Sequence, residues 1–266
     1  MQSWKNALQF HKRTILTVLL VLVFIWSLFS VPWGTEVLHP GGKITIMQIF
    51  TAFLHPNFSP EILSLALISS WRTMAYAAAG MSLAIIIAFV CGILASGIMS
   101  PNPLSRLLSK SIFRSLLGFM RAIHELVWAW LFVAAVGLSP FAAIFALAIP
   151  YGGILGRIFA DILADTPQEP IKALKASGAS QLQLLFYGYL PMAKVDMISY
   201  TMYRFECAIR SSTIMSFVGL GGLGYQIQLA LADLDYSKVW TYMFFLIGLV
   251  LFVDGWSNLL RKRLVE

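Results

Sequence analysis

Apolar residues dominate this chain in long runs, about 14–31, 73–97, 115–137, 140–163, 195–217 and 239–259. Each is near the ~20 residues a helix needs to cross the hydrocarbon of a bilayer. Polar positions gather in the segments between. In the segment after the first run, Ile46, Ile49, Phe50, Phe53 and Leu54 recur at helical spacing within Ile44–Leu54. That spacing predicts an amphipathic helix on the membrane surface. Pro56 and Pro60 end it before a second amphipathic approach, Glu61 to Arg72. The first run has no small-residue cleavage site, and Val31-Pro32-Trp33 reads as an interfacial exit. A retained anchor is therefore expected rather than a signal peptide.

Composition agrees with the pattern. Of 266 residues, 59% are hydrophobic and only 12% charged, with mean hydropathy +0.78. These values predict an all-α membrane protein of six spans and one transmembrane domain, 1–266. The net charge of +7 does not describe a nucleic-acid surface, because the basic residues fall in short segments between runs. One side holds Lys5, Lys12, Arg13, Arg106, Lys110, Arg114, Lys172, Lys175, Lys194, Arg261, Lys262 and Arg263. The other holds Lys43 and Lys238, with Arg72 at a span edge. Both termini and the basic segment 164–194 are therefore expected in the cytoplasm. Cys91 and Cys207 lie in apolar runs without disulfide or metal spacing and read as small core residues.

A few ionisable groups remain at membrane depth: Arg121, Glu125, Arg204, Glu206 and Arg210, with Arg157 and Asp161 nearer the cytoplasmic end of the fourth run. Such groups need partners or a watery path. Arg121–Glu125 and Glu206–Arg210 are each four apart, so each pair is expected on one helix face. They read either as self-neutralised pairs that lock helices or as the lining of a translocation path. For the path, Arg204 and Arg210 outnumber Glu206, and the hydroxyls of Ser211, Ser212 and Thr213 follow. A cationic, hydroxyl-rich wall suits a small anion. His124 beside Glu125 has no further ligand at metal spacing, so no metal is expected.

Gly219-Leu220-Gly221-Gly222-Leu223-Gly224 satisfies G-x-G-x-x-G, but it follows a membrane span rather than a strand. Gly219, Gly221, Gly222 and Gly224 are expected to form a turn at the outer mouth of the path. The chain also lacks G-x-x-x-x-G-K-[ST], so any ATP hydrolysis is expected from another polypeptide.

The stretch KALKASGASQLQLLFYGYLP, Lys172 to Pro191, resembles the cytoplasmic EAA loop of ABC-importer permeases, E-A-A-x3-G-x9-I-x-L-P. Ala173, Gly178, Leu190 and Pro191 fit; Lys172, Leu174 and Gly188 depart. Gly178 is expected where a close turn against a partner surface tolerates no side chain. Arg121-Ala122-Ile123-His124-Glu125-Leu126-Val127-Trp128-Ala129 resembles R-A-I-P-E-x-V-W-A of the phosphonate-type ABC permeases. Tyr203-Arg204-Phe205-Glu206, Arg210 and Phe217 to Gly224 resemble that family's Y-R-F-E…R…F-V-G-x-G-G-x-G.

The resemblance covers about 121–224. It implies a type I ABC-importer permease fold in the bacterial inner membrane, importing phosphonate, phosphite, hypophosphite or a similar oxyanion. As a transport subunit rather than an enzyme, the chain would hold no cofactor; ATP and magnesium would sit on partner ATPase subunits. Two ATPase subunits, a periplasmic or lipid-anchored substrate-binding protein, and a second permease copy or paralogue are the implied partners. Lys172, Ala173, Leu174, Gly178, Ala179, Leu190 and Pro191 would then couple to the ATPase. His124 in place of the family's proline is expected to leave span three straighter. Lys172 in place of Glu alters one docking charge, with Glu169 one turn earlier. Two alternatives remain: an ABC permease for an amino acid or organosulfonate, and a self-contained secondary transporter, which would need coupling groups within this chain.

Overall fold

The computed structural model describes the backbone of residues 2–31 and 41–265, and side chains over 12–31 and 41–263. Pro32 and Trp33, expected at the membrane exit, lie outside the described residues, as does the side chain of Lys5. The described residues are helical with short connections, and they form two compact units, 1–51 and 52–266.

The first unit contains α1 (Gln2–Ser30) and most of α2 (Gly42–Leu54). From Ile15 to Phe29 the apolar side chains of α1 are exposed, Trp26 with 73% of its surface. A helix that is apolar all round and exposed has lipid as its natural solvent.

In the second unit, α3 runs without interruption from Pro60 to Ser96. This corrects the expected division at Arg72. Ile62, Ala66, Ser69, Thr73, Ala77, Gly80, Ala84 and Ala88 are buried in turn. That stripe of mostly small residues at three- and four-residue spacing continues past Arg72, so nothing stops the helix there. Its first half, Ile62 to Ala77, packs against α9 (Leu190–Met215), α10 (Leu223–Ala232) and α11 (Tyr236–Val265). From Gly80 onward it faces α6 (Pro140–Asp165), the most extensive partner of α3. The two backbones come so close that a Cβ added at Gly92 would lie 2.9 Å from the Gly156 carbonyl oxygen. In a membrane, where water drives no burial between helices, such small-residue contact is how helices associate.

Between them in sequence come α4 (Pro103–Ala122) and α5 (Glu125–Val136), bent 85° from one another. Arg106, Lys110 and Arg114 therefore sit on a helix rather than in the loop expected before the third run. Ser109 and Arg114 of α4 donate to the Leu94 and Ala95 carbonyls in the last turn of α3, where carbonyls lose their i+4 helical partners.

Beyond α6 lie α7 (Gln168–Ala176), the single turn α8 (Gln181–Gln183), a π-helical turn Leu184–Tyr189 and α9 (Leu190–Met215). A 3-10 turn, Ser216–Val218, leads to α10 (Leu223–Ala232) and α11 (Tyr236–Val265). By length and composition, Lys12–Ser30, Pro60–Ser96, Pro140–Asp165 and Tyr236–Arg263 can each cross a membrane. The bent pairs α4–α5 and Gln181–Val218 with α10 bring the number to six if each is one span.

Candidate functional site

The break between α4 and α5 positions Glu125. Ile123 and His124 are extended, and the His124 Nδ1 accepts the Leu126 N–H at 3.2 Å while its carbonyl accepts the Val127 N–H at 3.0 Å. The imidazole thus acts as an N-cap, satisfying a backbone donor that would otherwise be orphaned. This corrects the expectation of a straighter span: capping by histidine ends one helix and starts another without proline. It also separates Arg121 from Glu125, which do not form the i,i+4 pair expected. Arg121 ends exposed on α4. Glu125 opens α5, where exposed backbone N–H groups favour a carboxylate.

Three helices meet at that carboxylate. Ser211 of α9 donates to Glu125 Oε1 at 2.5 Å, and the Tyr151 hydroxyl of α6 lies 2.9 Å from Ser211 Oγ. Since the single hydroxyl hydrogen of Ser211 goes to the carboxylate, Tyr151 must donate to Ser211. The chain of hydrogen bonds therefore runs Tyr151 to Ser211 to Glu125. His124 Nε2 stands 3.8 Å from the other carboxylate oxygen. Tyr151 escaped the sequence reading; its only signal was a hydroxyl-bearing ring in an otherwise apolar Ala-, Pro- and Gly-rich run, a type that finds a partner when buried.

Arg204 lies seven residues before Ser211, two turns away on the same face of α9. Its guanidinium sits 5.8 Å from the Tyr200 ring centroid and 5.5 Å from that of Tyr203. Cation–π contact of this kind partly replaces the counter-charge a membrane-depth arginine needs. Its Nε is buried with no hydrogen-bond partner, and it makes no ion pair among the described residues.

The other expected path residues separate. Glu206 and Arg210 both lie on α9, as their spacing predicted, but they do not form the self-neutralised pair that one of the two readings held. Glu206 binds Arg261 of α11 at 2.7 Å, and its own side chain is only 9% exposed. Arg261 reaches Glu206 because α11 packs along α9, and it is further held by Asn258 at 3.0 Å. Arg210 is exposed and donates to Cys207 Sγ at 3.5 Å. Ser212 donates to the Thr73 carbonyl, and Thr213 to that of Ile209. Of the three hydroxyls, only that of Ser211 is turned to an ionisable side chain.

Thr73 Oγ1 accepts the Leu223 N–H at 3.0 Å, so α3, α9 and the start of α10 are tied together beside the glycine-rich turn. Gly219, Gly221 and Gly222 all have positive φ, and a Cβ at Gly222 would lie 2.8 Å from Thr73 Oγ1. Gly224 is pressed against the Thr213 carbonyl.

The segment Lys172–Pro191 folds as a unit. Gly178 (φ +85) takes the left-handed position after α7, its N–H bonding Lys175 O at 3.0 Å and the Ala179 N–H bonding Leu174 O at 3.2 Å. These two bonds form a Schellman close, which glycine permits at no steric cost. Nothing lies within 4 Å of a Cβ at Gly178, so within this chain the residue is required by its backbone conformation, not by crowding.

Crowding is instead at Gly188, where a Cβ would stand 2.6 Å from Ile171 Cδ1 and 3.2 Å from Leu174 Cδ1. The departure from isoleucine there lets α7 lie directly on the π-helical turn. That turn has its own cause: Pro191 has no N–H and its ring disfavours the carbonyl four residues back. The preceding turn widens, and the Leu190 N–H bonds Leu185 O. Lys172 and Ala173 are exposed on α7, while Leu174, Ala179 and Leu190 are partly buried.

Comparison with known proteins agrees with this architecture. The family described as binding-protein-dependent transport system inner membrane component matches residues 92–266. The chain is 31% identical over 191 residues to the phosphite transport system permease protein PtxC of Stutzerimonas stutzeri, covering 72% of this chain and 68% of that one. It is 28% identical over 258 residues to the putative phosphite transport system permease protein HtxC of the same organism, covering 96% and 88%. Among solved structures, the inward-facing MetNI methionine ABC transporter superimposes with a TM-score of 0.68 at 18% identity, over 78% of this chain and 99% of that one. At that identity the likeness concerns the fold alone, and that fold is the type I ABC-importer permease fold. With a family match over 92–266 and these permease relatives, the chain is a member of the binding-protein-dependent transport system inner membrane component family.

Proposed function

We propose that this chain is the membrane-spanning permease of an ATP-driven importer for a phosphorus oxyanion: phosphonate, phosphite, hypophosphite or a similar anion. The observation that carries the cargo assignment is Arg204. It is a partly buried guanidinium with no carboxylate partner among the described residues, on the face of α9 that also presents Ser211. A fixed fork of N–H donors matches the oxygens of a phosphorus oxyanion. The two phosphite permease relatives support the same chemistry. Arg121, Glu125, Glu206, Arg210, Ser212 and Thr213 complete the proposed path and its frame.

In this reading the chain catalyses no reaction. ATP and magnesium belong to two ATPase subunits, which receive α7 and the Gly178 turn. A periplasmic or lipid-anchored binding protein delivers the anion at the side bearing the glycine-rich turn, and a second copy or a paralogue closes the pore. The clustering of basic residues supports cytoplasmic termini and a place in the bacterial inner membrane.

The test is uptake into proteoliposomes containing the permease, its ATPase and its binding protein. Labelled phosphite uptake should require ATP and be competed by phosphonates before sulfate. Uptake driven by an ion gradient without the ATPase, or competition by amino acids alone, would overturn the assignment.

A further inference from the structure

We infer that the cleft between the α3–α4 turn and α7 is a binding site for a phosphate group, presented by an anionic lipid headgroup or free in solution. The cleft has a volume of about 580 Å³ and is lined on one side by Arg106 and Lys110 and on the other by Lys172 and Lys175. No Asp or Glu is among its lining residues, and none of the four cations makes an ion pair among the described residues. The nearby acid Asp161 is already engaged by Arg114 at 2.9 Å and Arg157 at 3.0 Å. A concave wall of one sign concentrates counter-ions, and four unpaired cations facing one volume repel each other until an anion enters.

The cationic heads are placed there by the backbone. Gly97 ends α3 in the left-handed conformation (φ +70). A Cβ on it would lie 2.8 Å from Lys110 Cε and 2.9 Å from Arg106 Cγ. Both side-chain stems thus lie across the bare turn. Being four apart on α4, they carry two like charges on one helix face, an arrangement that costs stability in isolation. The Gln168 amide at the head of α7 adds polar lining, while Leu107 keeps part of the rim apolar and exposed. An apolar rim beside a cationic pocket at the end of membrane helices suits a headgroup whose glycerol and acyl chains lie alongside. This site is separate from the Glu125–Ser211–Tyr151 cluster and does not depend on which anion is transported.

The experiment uses the full chain in nanodiscs of phosphatidylcholine with a minor fraction of phosphatidylglycerol, read by native mass spectrometry. Phosphatidylglycerol should be retained over phosphatidylcholine by about tenfold or more, the factor one charge-assisted contact supplies. Arg106→Gln with Lys110→Gln should abolish that preference, and Lys175→Gln, at an exposed position, should weaken it with circular dichroism unchanged. Displacement of the lipid by inorganic phosphate would identify free phosphate as a ligand of the same pocket; retention against it would identify the headgroup. Equal lipid preference and equal phosphate response in wild type and all variants would overturn the site. So would loss of ATPase association in the variants with lipid retention unchanged, since the cleft would then receive an acidic protein surface.

Discussion

Ser211 and Glu125, 86 positions apart in the chain, are joined by a 2.5 Å hydrogen bond that fixes α9 to the first residue of α5. The bond makes a largely buried carboxylate tolerable, because a hydroxyl and a helix N-terminus share its charge. It also commits the Tyr151 hydroxyl to donate to Ser211, extending the contact to α6.

Ser211→Ala removes the donor to the carboxylate and strands the Tyr151 hydroxyl. Its expected cost is about 1.5–3 kcal/mol, whereas Tyr151→Phe, which removes a neutral bond, should cost about 0.5–1.5 kcal/mol. Thermal unfolding of the purified permease in detergent should rank the variants in that order. Equal effects would show that the chain of bonds does not run in the direction given.

Glu206 and Arg261 form the ion pair that holds α9 to α11. The side chain of Arg261 is 28% exposed, so removing either partner should cost about 2–3 kcal/mol, less than for a fully buried pair. Glu206→Gln, Arg261→Met and the double variant make a cycle. The double variant should be more stable than the two single losses add to. Arg210→Met, the change that sequence spacing would have chosen, should leave stability nearly unaltered.

Arg204 is the cation proposed to face the anion. Arg204→Met should lower oxyanion uptake about tenfold or more, the value of one charge-assisted contact. Arg210→Met should lower it less, since Arg210 is exposed beside an apolar groove formed with Ile214, Phe217 and Met243. Membrane insertion measured in parallel separates transport from folding; a larger uptake loss in the Arg210 variant would move the anion contact to the other face of α9.

Gly178 closes α7 with positive φ and open space around it. Gly178→Asn should therefore keep α7 protected in hydrogen exchange, because asparagine enters the left-handed region readily. Gly178→Ala should fray its last turn at a cost of about 1 kcal/mol. If both variants retain full protection, backbone conformation is not what the position requires.

Gly188→Ile restores the residue the EAA pattern carries, and here it should push α7 off the π-helical turn. Expression and uptake should both fall. Ile171→Ala in the same chain should recover much of the loss, since it empties the space that a Cβ at Gly188 would invade. Failure of that rescue would place the clash elsewhere.

Local composition was enough to read the all-helical membrane class, and residue type was enough to place a turn at Gly178. The resemblance around 121–224 rests instead on matched motifs. Neither Arg121–Glu125 nor Glu206–Arg210 forms the self-neutralised pair that one of the two readings held, although Glu206 and Arg210 do share α9. Spacing in sequence reports which residues share a helix face, but only while the helix continues and no nearer partner intervenes. His124 ended one helix, and Arg261, 55 residues away, was the partner of Glu206. Gly188 looked like a lapse in a motif until α7 was seen lying on it. The sequence alone determined that the chain is helical and carries apolar segments of bilayer length, because hydrophobicity is a property of each residue. Only the tertiary structure decided which charges are neutralised, which hydroxyls face one another and which cations are left free for an anion. Those depend on distances between helices that no residue specifies by itself.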